Sequence, residues 1–278
     1  MATICELEAV AGRCRRSIAT MIYRAGTGHI GGSLSSADIL TALYFDVMHI
    51  RPQEPEWPDR DRFILSKGHS VEGYYSLLAF RGFFSSERLK EYSQFGSIFT
   101  GHPNRKVPGV EMCTGALGHG LPVAVGMALA AKRDRRPSQV YTLMGDGELA
   151  EGSNWEAAMA GAKYDLDNLT AIVDRNGLQI SGSTETVMPL ENLAAKWQAF
   201  GWDVVECDGN DMAALLQAFH RLPDRPGRPH LLLAHTVKGK GISFMENRPE
   251  WHHGVLNAAQ YAQAMKELGG EPGKGGNQ

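Results

Sequence analysis

The densest chemistry in the 278-residue chain lies between Met144 and Asn176, in GDGELAEGSNWEAAMAGAKYDLDNLTAIVDRN. Gly145-Asp146-Gly147 closes one apolar run, and Asn176 closes the next, thirty positions after Asp146. A diphosphate needs close approach of the backbone, which Gly147 permits, and N–H donors from a loop or helix start. It also needs a hard cation, for which the Asp146 carboxylate and the Asn176 amide oxygen are ligands of the right kind. A backbone carbonyl just beyond, at Leu178, completes the protein's share of such a shell. Taken alone, GDG reads equally well as a tight turn. The whole constellation favours a diphosphate and its metal. Lys238 and Lys240 in HTVKGKG lack the GxxxxGK[ST] spacing of a P-loop, so nucleotide binding is not supported. Both lysines read as solvent-facing, with a part in ordering the loop before His253.

These residues need a scaffold. Leu7, Val10, Cys14, Ile18, Met21 and Ile22 recur at three- and four-residue steps, which predicts an amphipathic helix ending near Gly26 and Gly28. A second helix begins at Ser36 or Asp38 around ILTALYF, and FILS reads as a strand before the loop SKGH. Helices follow near 74–80 and 121–133, and then strands and helices alternate. QVYTLM, LTAIVD, WDVVEC and HLLLAHT are the strands, with helices near 155–162, 190–200 and 211–221 between them. That order predicts an α/β fold, a mostly parallel sheet with helices on both faces. Ligands in such sheets sit beyond the carboxyl ends of strands, which points to SKGH, MGDG, DRNG and HTVKGKG. Residues 1–265 form the expected domain and 266–278 a flexible tail.

Composition narrows the class. A formal charge of −3 excludes a nucleic-acid coat or a polybasic membrane tether. The longest apolar stretch, LPVAVGMALAA, is too short to span a bilayer. Cys5, Cys14, Cys113 and Cys207 show neither a CxxC pair nor a repeated spacing, so a reducing, cytoplasmic setting is expected. No secretory signal is read at the start.

GDG followed by the distant Asn resembles the thiamine diphosphate motif. The wider set resembles the transketolase family: GHIGGSLSSAD from Gly28, SKGH from Ser66, GHP from Gly101, TGALGHG from Thr114, GDGELAEGSNWEA and DRNGLQISG. The resemblance implies the family's diphosphate-binding domain, thiamine diphosphate, and Mg2+ with Ca2+ or Mn2+ as substitutes. Position by position, Asp146, Asn176 and the Leu178 carbonyl match metal ligands, and His69, Gly147 and His253 match diphosphate contacts. Gly115 and Leu117 match the lining of the aminopyrimidine site, and Ile180 an apolar contact to the cofactor ring. His29, His69, His102 and His253 match the histidines around the substrate's carbonyl and hydroxyls. Glu151 matches an acidic residue in a proton relay between the two cofactor sites of a dimer. Histidine is the usual proton carrier near neutral pH, which suits ketol chemistry. His49, His220 and His230 read as structural or exposed. His119 stands where the family often has glutamine, and His252 competes with its neighbour for one place in the match. Ile30 and Ala116 replace prolines, which affects loop stiffness more than chemistry.

The family binds its cofactor between two unlike domains, and about two dozen residues after Gly254 are too few for the second. The resemblance therefore implies one subunit of a split transketolase, moving a two-carbon ketol unit from a ketose (phosphate) to an aldose (phosphate). Its partner would be a C-terminal subunit carrying the pyrimidine-binding domain and the activating glutamate, in a heterotetramer. The alternatives are the alpha subunit of a 2-oxoacid dehydrogenase, against which the histidine set argues, and a non-catalytic transketolase-like binding protein.

Overall fold

The computed structural model describes residues 2–222 and 226–270. Helix α1 (Ile4–Ala25) starts at a capping box in which Thr3 and Glu6 satisfy each other's backbone N–H groups, and it stops at Gly26, φ 66°. Its apolar stripe, Leu7, Ala11, Cys14, Ile18 and Ile22, is buried as the periodicity predicts. The chain then builds α2 (Ile30–Ser35), α3 (Ala37–Ala42), β1 (Arg62–Leu65), α4 (Val71–Arg81) and α5 (Gly120–Arg133). The regular alternation follows: β2 (Val140–Gly145), α6 (Gly152–Lys163) and β3 (Leu169–Arg175). A short antiparallel hairpin, β4 (Leu178–Gln179) with β5 (Gly182–Ser183), leads through α7 (Thr184–Val187) and α8 (Leu193–Ala199) to β6 (Asp203–Asp208). After α9 (Met212–Arg221) and β7 (His230–His235), α10 (Ala258–Glu267) is the last described helix.

The main sheet has the order β1-β2-β3-β7-β6, and every pairing is parallel. Strand residues alternate between two apolar layers. Phe63, Leu65, Tyr141, Leu143, Ile172 and Leu232 join α1, α3, α4 and α9 on one face. Ile64, Val140, Met144, Ala171, Val173, Leu231 and Leu233 join α5, α6 and α8 on the other. That two-sided burial is why the strands read as near-continuous apolar runs. Among the described residues no helix is long and apolar enough to cross a membrane.

Two elements differ from expectation. GHIGGS carries α2 rather than a loop, although adjacent glycines are poor helix formers. Tight packing is the reason for them: a Cβ on Gly31 would lie 2.7 Å from the Trp251 carbonyl, and one on Gly32 would lie 3.0 Å from Ser70 Oγ. The second difference is α10, capped by Asn257 and Gln260, which reaches Glu267 and so takes in the first residues expected to be tail. It docks on α1 through a stacked Tyr23–Tyr261 pair, 4.2 Å between ring centroids. Residues 271–278, the rest of the expected tail, lie outside the described residues.

Candidate active site

Four loops leave the carboxyl ends of strands on the same edge of the sheet. Ser66–His69 follows β1, Asp146–Gly147 follows β2, Asn176–Leu178 follows β3, and Thr236–Lys238 follows β7. Asp146 is 1% exposed. Its Oδ2 accepts the Gly177 N–H at 2.6 Å and the Arg175 guanidinium at 3.1 Å, and its Oδ1 accepts the Gly147 N–H at 2.8 Å. Burial and the neighbouring Asp174 carboxylate push the Asp146 carboxyl above its ordinary range, the signature of a negative site short of positive charge. The Asn176 amide oxygen, beside it, accepts the Leu178 N–H at 3.1 Å. A Cβ on Gly147 would come within 3.0 Å of Gln179 Cβ, so the glycine keeps the β4 backbone close to this turn. Among the described residues no group of three or more His, Cys, Asp or Glu side chains could hold a metal. One carboxylate, an amide oxygen and a carbonyl are hard oxygen donors that suit a divalent cation only with further oxygens from a ligand such as a diphosphate. The donor set therefore fits a metal–diphosphate and not a free-standing metal centre.

Behind that turn sits a buried ion pair. Lys67 and Asp174 are 1% and 0% exposed at their side chains. Asp174 also accepts from Ser35 Oγ at 2.7 Å, from Asn176 Nδ2 at 3.3 Å and from the Thr236 hydroxyl. Lys67 gives a second bond to the Gly32 carbonyl at 3.0 Å. Burial alone would raise the Asp174 pKa, but Lys67 and the hydroxyl donors outweigh it and hold the carboxylate low. By fixing Nδ2, Asp174 also decides which way the Asn176 amide oxygen points.

Facing these loops is a cluster of imidazoles centred on His29. Its ring centroid lies 4.7 Å from His253, 5.5 Å from His69, 5.6 Å from His252 and 5.9 Å from His102, and His69 lies 5.0 Å from His252. Four separate stretches of sequence converge there. Burial, reinforced by His253 and His102, pushes the His29 pKa down to about 4. Burial and Lys238 push His252 down to about 3, and burial followed by Lys67 lowers His69 well below the usual imidazole range. All three are neutral at pH 7, so each ring offers one donor and one acceptor to a substrate.

His252 is the inner of the paired histidines. Its Nδ1 lies 2.9 Å from Lys238 Nζ, whereas His253 is exposed. Lys238 corrects the solvent-facing expectation: it is 2% exposed, also donates to the Leu178 carbonyl at 3.2 Å, and burial with Lys67 nearby lowers its pKa to about 8. Its spacing from other motifs carries no signal. Only the close packing of Gly239 against Met245 shows that the KGKG turn folds inward.

The remaining predicted residues line the rim. A Cβ on Gly115, φ 151°, would lie 3.0 Å from His102 Cδ2, which ties the TGALGHG loop to the cluster. In the same loop Leu117 accepts from His119 Nδ1 at 3.1 Å through its carbonyl. Glu151 packs on Gly118 of that loop and is exposed, and Ile180, at the tip of the β4–β5 hairpin, is 73% exposed. His49 packs edge-on against Trp57, His220 pairs with Asp46 at 3.0 Å, and His230 is buried in β7, all outside the cluster.

A parallel α/β sheet with an Asp–Asn oxygen pair at its carboxyl edge and an imidazole cluster above defines a diphosphate-cofactor enzyme domain. Comparison with known proteins gives the family. Residues 8–275 match the family model described as transketolase, thiamine diphosphate binding domain. The chain is 52% identical to the first of the named subunits of apulose-4-phosphate transketolase from Phocaeicola vulgatus, covering 94% of this chain and 93% of that one. It is 42% identical to the 6-deoxy-6-sulfo-D-fructose transketolase subunit of Clostridium sp., covering 95% and 96%. The solved transketolase of Leishmania mexicana superposes with a TM-score of 0.91 at 33% identity over 99% of this chain, which spans 42% of that longer protein. The chain belongs to the transketolase family, as its thiamine diphosphate-binding N-terminal part.

Proposed function

We propose that this chain is the diphosphate-binding subunit of a two-chain transketolase, transferring a two-carbon ketol unit between sugars and completed by a pyrimidine-binding partner. The observation that carries the reading is the convergence of His29, His69, His102, His252 and His253 beside the Asp146–Asn176 turn. A 2-oxoacid has no row of hydroxyls to occupy such a cluster, whereas a ketose does. The names of its relatives, which are subunits, support a partner, as do Ile180 and Glu151, which stand exposed at the site rim. An assembly with two copies of each chain would bring Glu151 of each site near a symmetry axis.

Asp146, Asn176 and the Leu178 carbonyl would hold Mg2+, with Lys238 giving up the carbonyl, and the Gly147 backbone would lie along the diphosphate. Thiamine diphosphate supplies the electron sink needed to break a carbon–carbon bond beside a ketone. His69 and the His252–His253 pair would hold diphosphate oxygens, and Gly115 and Leu117 would line the aminopyrimidine site. His29 and His102 would hold the substrate's carbonyl and hydroxyl oxygens. Being neutral, His29 can accept a hydroxyl proton and return it, a role that typically contributes 10²–10⁴-fold. The free cysteines suit a cytoplasmic location.

The test is ketol transfer by the purified chain with and without its partner, supplied with Mg2+ and thiamine diphosphate. Donors should include apulose 4-phosphate, a sulfonated ketose, xylulose 5-phosphate and fructose 6-phosphate. Transfer from at least one donor should appear only with both chains. No transfer from any of them by the assembled pair, or ordinary turnover by the single chain, overturns the reading.

A further inference from the structure

Among the described residues the His29 ring, at the centre of the cluster, has no hydrogen-bond partner of its own. Its place is therefore set by its backbone and by packing. That backbone is held by a carboxylate no motif points to. Glu72, in the first turn of α4 and 0% exposed, accepts the His29 N–H at 3.0 Å and the Tyr92 hydroxyl at 2.6 Å on Oε1, and Ser33 Oγ at 2.7 Å on Oε2. All three donors are neutral. A buried carboxylate without a cation is costly, and is tolerated where several donors and a helix start compensate it.

The three donors bracket α2. His29 is its N-cap, at φ −114° and ψ 77°, outside the helical region, and makes no side-chain cap bond, while Ser33 lies one turn further on. Gly28 completes the clamp. At φ 150°, a Cβ there would lie 2.6 Å from Glu72 Oε1 and 2.5 Å from Ile22 Cγ1, so the chain is pressed between α1 and the carboxylate. We infer that Glu72 is a positioning residue for the transfer reaction, its buried carboxylate fixing the start of α2 so that the His29 imidazole stands over the site. Tyr92 and Ser33 are its supports. Glu72 does not touch the site itself, and acts only through His29.

This inference rests on the proposed transketolase function, and the test separates the two. Tyr92→Phe and Ser33→Ala each remove one support and leave the fold's apolar contacts in place. In the assembled enzyme each should lower kcat about 3–10-fold, leaving KM and the thiamine diphosphate Kd within about twofold. Glu72→Leu should lower kcat about 100-fold or more, and Glu72→Gln, which keeps the acceptor for His29 and Tyr92, should recover about 10-fold of that loss. The His29 backbone amide and ring resonances, read by NMR on the full chain alone, should shift in Tyr92→Phe and Ser33→Ala while those of His220 stay fixed. Unchanged kcat and unchanged His29 resonances in both support variants overturn the inference. So does a kcat that falls only in proportion to cofactor affinity and Tm, the pattern of general loosening. If the wild-type pair transfers no ketol unit, the function fails, and the NMR comparison still decides whether Glu72 positions His29.

Discussion

At the level of single residues, the site is a balance of groups that burial drives toward neutrality. Asp146 is buried with its pKa raised, and a divalent cation is the natural counterweight. Asp146→Ala should abolish metal-dependent thiamine diphosphate binding, and chelation should do the same to the wild type. Calorimetry showing unchanged, metal-independent binding by the variant would remove Asp146 from the metal site. The histidines make a second prediction. His29 and His252 fall from 6.5 to about 4 and about 3. Above pH 6.5 both folded and unfolded chains leave them neutral, so they add no pH dependence. Below it the unfolded chain takes up protons that the folded chain refuses, so stability falls as pH drops from about 6.5 toward 4. The raised pKa values of Asp146 and Glu148 act in the opposite direction near the lower end. His252→Asn should therefore lose less stability than the wild type over that window, by thermal melts of the cofactor-free chain. Parallel curves would show that the ring titrates as it does in water.

The motif residues were readable because metal and diphosphate ligation imposes fixed types at fixed spacing: Asp146, Gly147 and Asn176 stand where the spacing puts them. Lys67, Glu72 and Asp174 were not, because their roles depend on being buried against loops far away in sequence, which spacing does not encode. The choice between His252 and His253 was equally hidden, since adjacent identical residues differ only in which one Lys238 meets.

Among the elements, the Lys67–Asp174 pair joins the loop after β1 to the end of β3 and, through Ser35 and Thr236, to α2 and β7. Removing one member leaves a buried charge alone. Lys67→Met or Asp174→Leu should each cost about 3–5 kcal/mol, and the double variant less than their sum. Urea denaturation of the three variants measures the coupling, and strictly additive losses would show that the pair does not act as a unit. The strands, α1 and the alternating helices were legible from periodicity, because each buries one stripe or both faces. Helix α2 was not, because Gly31 and Gly32 are chosen for the Trp251 carbonyl and Ser70 rather than for helix propensity.

At the scale of the molecule, the site opens outward. Ile180 is 73% exposed, and Glu151 is exposed at the same rim. Hydroxyl-radical footprinting should show Ile180 protected when the partner chain is added, and native mass spectrometry should show two copies of each chain. Unchanged labelling of Ile180 in an active complex would place the partner elsewhere.

The strand order carries a consequence for how the protein comes into being. In the sheet β1-β2-β3-β7-β6, β3 finds its second neighbour in β7, with Thr170 opposite His230 and Arg175 opposite His235. A chain emerging from the ribosome exposes the β3 edge, with Ile172 and Val173, throughout synthesis of the α8, β6 and α9 segments. Pairing across such a separation is slow, and an unpaired apolar edge is a template for association. Nascent chains stalled before residue 230 should aggregate or recruit chaperones, while chains stalled after residue 245 should not. The loop with Lys238 follows directly after β7, so the step that closes the sheet also delivers the last side chains of the site.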